Sequence, residues 1–176
     1  MKIVLLGGNS SKNIFWLESI EVELKKKYND VFIHYYSHWS TNAPLIDLDK
    51  ELESLRKELE NIKQYVIIAK SAGVLLALKG ISEQKLFPAV CVFIGIPVMW
   101  ARENNFNINQ WLKSFSIPTL FIQEANDPAI SSNELEDLLK ELEVQNYKIQ
   151  TIPGDKHEYS QYQELGKIMI SFLENL

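Results

Sequence analysis

The sequence lacks most features that would place it with nucleic acids, membranes or disulfide scaffolds. Its 176 residues include one cysteine, Cys91. No intrachain disulfide can form, and a reducing, cytoplasmic compartment is the expectation. Positive charge is in deficit: 18 lysines and arginines face 23 aspartates and glutamates, a net charge of −5. There is no basic stripe and no RNA-binding aromatic motif, so neither nucleic acid nor an anionic membrane is an expected partner. Long apolar runs are missing too. None approaches the roughly 20 residues that span a bilayer. The IVLL run near the start is far shorter than a secretion-signal core of about 7–15 residues. Internal repeats, low-complexity tracts, linkers and the phosphate-loop spacings GxxxxGK(S/T) and GxGxxG are also absent.

What is present fits one globular domain spanning residues 1–176. Hydrophobic residues make up 46% of the chain and charged residues 23%, an ordinary balance, and a chain this long can bury roughly 70% of its unfolded surface. Six short apolar runs recur: KIVLL (2–6), VFIHYY (31–36), YVIIA (65–69), AVCVFIG (89–95), TLFIQ (119–123) and YKIQTI (147–152). They are rich in β-branched and aromatic residues and mostly lack alternation, as strands covered on both faces do. Between them lie amphipathic stretches. Leu48, Leu52, Leu55, Leu59 and Ile62 form one stripe over 47–64, and Leu135, Leu138, Leu139 and Leu142 another over 133–144, after a cap at Ser131 or Ser132. Residues 14–24 and 160–174 are amphipathic as well. Strands separated by helices predict an α/β fold: a three-layer sandwich with a six-stranded, mainly parallel sheet and helices on both faces.

In such sheets chemistry collects at the carboxyl ends of the strands. Gly7-Gly8-Asn9-Ser10-Ser11 follows the first strand; its glycines permit a tight turn with free N–H groups. Ala69-Lys70-Ser71-Ala72-Gly73 follows the third. Ser71 is either the N-cap of the next helix or a nucleophile held on a sharp turn, where crowding demands small neighbours and a helix N-terminus favours negative charge. Asp127, after the fifth strand, is either a turn residue before proline or a carboxylate able to orient a histidine. Glu124 is an alternative acid closer to the strand. His157, after the sixth, is either an exposed loop residue or a base. Taken together, serine, acid and histidine occur in that order, each after a parallel strand, and so on one edge of the sheet. A serine needs a base to lose its proton, and the base needs a carboxylate to fix its tautomer.

The segments LLGGNSS, AKSAG, IPTLFIQEANDP and PGDKHEY, taken in order along nearly the whole chain, resemble the α/β-hydrolase family in a small, cap-less form. The resemblance implies the strand order 2-1-3-4-5-6 and serine hydrolysis of a small acyl ester, amide or thioester. By it Ser71 is the nucleophile, Asp127 the acid and His157 the general base, with oxyanion donors at the N–H groups of Asn9 and Ala72. Ala69 departs from the family's usual glycine, Glu124 from a frequent glycine before the acid, and Lys70 is uncommon inside the elbow; none removes a catalytic member. Gly8, Trp39, Met99 and Trp100 are the candidate pocket residues. Met99 and Trp100, with Phe106 and Trp111, are weighed against packing beneath a surface helix, the commoner role. His34 and His38, roughly 13 Å apart on an extended strand, do not read as metal ligands, and no cofactor is expected. Two other classes compete: a hydrolase-fold protein that binds a partner or small molecule without turnover, and a flavodoxin-like phosphate binder using Gly7–Ser11.

Overall fold

The computed structural model describes every residue except 42, 114 and 176. Its sheet contains β1 (Lys2–Leu6), β2 (Val31–His34), β3 (Tyr65–Lys70), β4 (Val90–Ile94), β5 (Thr119–Glu124) and β6 (Tyr147–Ile152). All neighbours are parallel, in the order β2-β1-β3-β4-β5-β6. The apolar runs became strands because both faces are covered, and β1, β3, β4 and β5 are buried along nearly their whole length. The edge strand β6 instead exposes Lys148 and Gln150, charge and polarity that discourage further strand addition.

Alternation along the strands sorts the core into two layers. Ile3, Leu5, Val66 and Ile68 face α1 (Asn13–Lys25) and α8 (Tyr162–Glu174), which pack against each other. Val4, Leu6, Ile67 and Ala69 face the opposite layer. That layer holds α3 (Leu48–Leu59), α4 (Ala72–Ser82), α5 (Val98–Glu103), α6 (Ile108–Leu112) and α7 (Ser132–Glu141). Two starts are set by the sequence. The Asp47 side chain accepts from the Lys50 N–H to cap α3. Ser131 and Glu134 form a reciprocal capping box on α7. Among the described residues no helix is long and apolar enough to cross a membrane.

One boundary differs from the sequence expectation. The run 31–36 is a strand only to His34; the chain then turns, and α2 (His38–Thr41) begins. His34 and His38 therefore do not lie on one extended strand. They flank Tyr36, with ring centroids 5.6 and 5.7 Å from it.

The sheet order makes β1 and β3 neighbours whose following helices leave on opposite faces, and this opens the crevice that holds the site. Gly73, in the first turn of α4, sets its width. A Cβ there would stand 2.7 Å from the Leu6 carbonyl oxygen and 2.8 Å from that of Gly7. The partner that forbids a side chain is thus the backbone after β1. Gly73→Ala is expected to lower stability by about 1–3 kcal/mol through this overpacking, measured as a fall in urea midpoint. An unchanged midpoint would show that α4 is free to retreat.

Candidate active site

Ser71 sits between β3 and α4 with φ 52° and ψ −120°. A non-glycine residue held there costs on the order of 1–3 kcal/mol. Its N–H donates to the Ile94 carbonyl at 3.0 Å, and its own carbonyl accepts from Val74. Its side chain makes no cap bond to α4, so the capping role is not what holds the residue. The hydroxyl instead lies 3.0 Å from His157 Nε2.

His157 is brought over the strand ends by a loop that leaves β6 at Ile152 and has φ 60° at His157 and φ 55° at Tyr159. Glu124, at the end of β5 and 3% exposed, stabilises that bend: its Oε2 accepts from the N–H groups of Lys156 (2.9 Å) and His157 (3.1 Å). Trp16 closes the far side by donating Nε1–H to the Tyr159 carbonyl at 2.8 Å. The Gly95 backbone, at φ 58°, leaves room for the Tyr159 ring and the His157 edge, where any side chain would collide.

Asp127 completes the chain. Its carboxylate lies 2.8 and 3.0 Å from His157 Nδ1. An ionised carboxylate only accepts, so Nδ1 carries the hydrogen and Nε2 is free to accept from Ser71. The Tyr159 hydroxyl donates to Asp127 Oδ2 at 2.5 Å and accepts from the Glu124 N–H at 3.0 Å. The Ala129 N–H donates to Oδ1 at 2.8 Å. Burial pushes the Asp127 carboxyl up, but the bonds from His157, Tyr159 and Ala129 more than offset it and hold it below its ordinary value.

The other predicted positions separate into two groups. Asn9 lies in the turn after β1, and Ala72 follows Ser71 directly. Ala72 is the first residue of α4, so its N–H has no carbonyl one turn back. Asn9 Nδ2 donates to the Pro44 carbonyl (2.9 Å), and Oδ1 accepts from the Ile46 N–H (2.8 Å). Its carbonyl accepts from His38 Nε2 (2.7 Å) and Trp39 Nε1 (2.9 Å). Among the described residues the backbone N–H of Asn9 makes no hydrogen bond. Gly8 is buried against the Asn13 side chain. Of the pocket candidates, Gly8 and Trp39 meet at the turn after β1, and Met99 and Trp100 share α5. Trp39 is pinned to Asn9. Trp100 packs on Phe106, with centroids 5.7 Å apart, and Phe106 on Trp111, against the α4–α6 layer of the core. Met99 is 53% exposed beside Ala129, whose carbonyl accepts its N–H.

Three participants carried no sequence signal for their roles: Tyr159, Glu124 as a loop holder, and Lys70. By strand alternation Lys70 points into the α1/α8 layer. Its Nζ donates to Asn13 Oδ1 at 3.1 Å and lies 5.6 Å from the centre of a Trp16 ring. Burial pushes its pKa down to about 8, against the opposing pull of Asp127, Glu124 and Glu158.

Two outcomes follow from this arrangement. Tyr159→Phe removes the hydroxyl shared by Asp127 and the buried Glu124 N–H, and is expected to cost about 1–3 kcal/mol in urea unfolding; wild-type stability would contradict it. Between pH about 8 and the ordinary lysine value of 10.5, the unfolded chain keeps a proton on Lys70 that the folded chain has lost. Lys70 therefore makes stability rise with pH across that window. At lower pH the folded chain carries the full cost of a buried charge. Lys70→Met should accordingly stabilise the protein at pH 7 by about 1–3 kcal/mol, with the gap closing as pH rises past 8. Destabilisation at pH 7 would contradict this reading.

No protein-family model matches the chain, and no curated protein matches it. Solved structures do. An esterase of Pyrococcus furiosus, Pf2001, superposes with a TM-score of 0.75 at 18% identity, covering 99% of this chain and 80% of its own. A structure described as a putative YdeN-like hydrolase of Pectobacterium atrosepticum gives 0.71 at 17%, covering 98% and 90%. Mouse alpha/beta hydrolase domain-containing protein 10 gives 0.72 at 12%, covering 99% and 90%. With its parallel sheet in the order 2-1-3-4-5-6 and helices on both faces, the chain has the α/β-hydrolase fold.

Proposed function

We propose that the protein is a serine hydrolase acting on a small acyl ester, amide or thioester through an acyl-enzyme. The observation that carries this reading is the continuous hydrogen-bonded chain from Ser71 Oγ through His157 to Asp127. Ser71 attacks the acyl carbonyl as His157 Nε2 takes its proton. Asp127 holds the imidazole in the tautomer that can accept that proton, and its negative charge stabilises the imidazolium that forms. The N–H groups of Asn9 and Ala72 receive the oxyanion of the tetrahedral intermediate, each such donor contributing about 3–4 kcal/mol to the barrier reduction. His157 then protonates the leaving group, and a water deprotonated by His157 releases the acyl group from Ser71.

Relatives in fold that are described as esterases and hydrolases support the reaction class. The mildly acidic chain and its buried Cys91 suit a small-molecule substrate in a reducing, cytoplasmic setting.

A fluorophosphonate probe is expected to label the native protein with one adduct, on Ser71, and to leave Ser71→Ala unlabelled. His157→Ala should lower nitrophenyl ester turnover by roughly 10³-fold or more. Equal labelling of native protein and Ser71→Ala, or turnover that survives His157→Ala, would overturn the assignment.

A further inference from the structure

The segment Tyr36-Ser37-His38-Trp39 presents three aromatic or heteroaromatic donors to one short stretch of backbone. The Tyr36 hydroxyl donates to the Gly7 carbonyl at 2.9 Å. His38 Nε2 and Trp39 Nε1 converge on the Asn9 carbonyl at 2.7 and 2.9 Å. These are the carbonyls of the turn after β1, the turn whose Asn9 N–H is the proposed oxyanion donor.

The His38 ring bears a cost that packing alone does not explain. It is 6% exposed, and among the described residues its buried Nδ1 has no hydrogen-bond partner. Because a carbonyl only accepts, Nε2 must carry the hydrogen, and in the neutral ring Nδ1 is then a buried acceptor without a donor. A buried polar atom left unpaired weakens the fold. The ring is nonetheless held in this place. It stacks on Tyr36 with an interplanar angle of 19°. The turn that delivers it is fixed by Glu51 of α3, 2% exposed, whose Oε1 accepts both the N–H (2.9 Å) and the hydroxyl (2.6 Å) of Ser37. What the ring provides is the bond to Asn9.

We propose that His38 and Trp39 are positioning residues that set the direction of the Asn9 N–H for the tetrahedral oxyanion. Asn9 is held on every other polar group. Two donors fix its carbonyl, and the chain at 44–46 fixes both atoms of its side-chain amide. Residue 9 is thus held through its carbonyl and side chain before substrate arrives, and among the described residues its N–H makes no hydrogen bond. A donor fixed in advance needs no reorganisation in the transition state, and this is where its catalytic value lies. Neither ring need touch substrate. Trp39, expected from the sequence to line the pocket, acts in this account through Asn9.

The inference rests on the serine-hydrolase reading and is tested so that the two fail separately. Trp39→Phe keeps the ring packing and deletes one donor. His38→Leu deletes the other, and His38→Gln keeps a terminal N–H at similar reach. The rate of Ser71 labelling by a fluorophosphonate, whose phosphonyl oxygen occupies the oxyanion position, is expected to fall roughly 3- to 10-fold in Trp39→Phe and roughly 10- to 100-fold in the double variant. His38→Gln should stay near the native rate. With a nitrophenyl ester, kcat should fall while KM holds, and affinity for a boronic-acid transition-state analogue should drop by the same factor as kcat/KM. A general loss of folding would not produce that split, and Trp39→Phe, the mildest change, keeps the test decisive if the double variant unfolds. Native labelling rates in Trp39→Phe and in a folded double variant would overturn this inference alone. A native protein that resists labelling altogether would remove the hydrolase reading, and this inference with it.

Discussion

The contact on which the rest of the molecule depends is the approach of the first turn of α4 to the backbone after β1. At Gly73 the two run so close that a single methyl group would meet the carbonyl oxygens of Leu6 and Gly7. That closeness has three effects. It forces the chain to leave β3 through a left-handed residue, Ser71. It places the Ala72 N–H at the open start of a helix. It also brings the backbone of Leu6 and Gly7, which leads into the turn carrying Asn9, against the first turn of α4. One steric constraint thereby bears on both segments that the proposed function uses, the turn after β1 and the start of α4. It also explains why small residues surround the serine, since the crowding comes from a neighbouring strand's loop.

Against this rigid half stands a second half built from two loops. Asp127 and His157 lie 30 residues apart, and their geometry relies on further buried groups around them. Glu124 holds the bend at His157, Tyr159 bridges Glu124 to Asp127, and Trp16 ties the bend to α1. The buried carboxylate of Asp127 is tolerable because three donors converge on it. Lys70, the last residue of β3, is a charge whose burial costs stability. Such costs are common where the arrangement of groups matters more than folding free energy.

The strands were legible because parallel strands covered on both faces must be continuously apolar, and each of the six runs became one. The order serine, acid, histidine was legible because each residue follows a strand and all strands run the same way. Less legible was everything that depends on contacts between loops far apart in sequence. Glu124 read as an off-pattern residue or a spare acid and proved to hold the histidine loop. The strand at 31–36 read two residues too long because Tyr35 and Tyr36 are good strand formers; Tyr36 turns away to reach the Gly7 carbonyl. For Trp39 and Trp100 apolar character left a pocket role and core packing both open, packing the commoner; the indole N–H of Trp39 bonds to the Asn9 carbonyl, and Trp100 stacks on Phe106.

The central claim is that Ser71 becomes covalently acylated during turnover. Rapid mixing with a nitrophenyl ester, followed by acid quench and mass analysis of the intact and digested protein, tests it most directly. The account predicts a burst of nitrophenolate equal to the enzyme concentration, and an acyl group on the peptide that contains Ser71. Steady release without a burst or adduct, or an acyl group on any other residue, would contradict it.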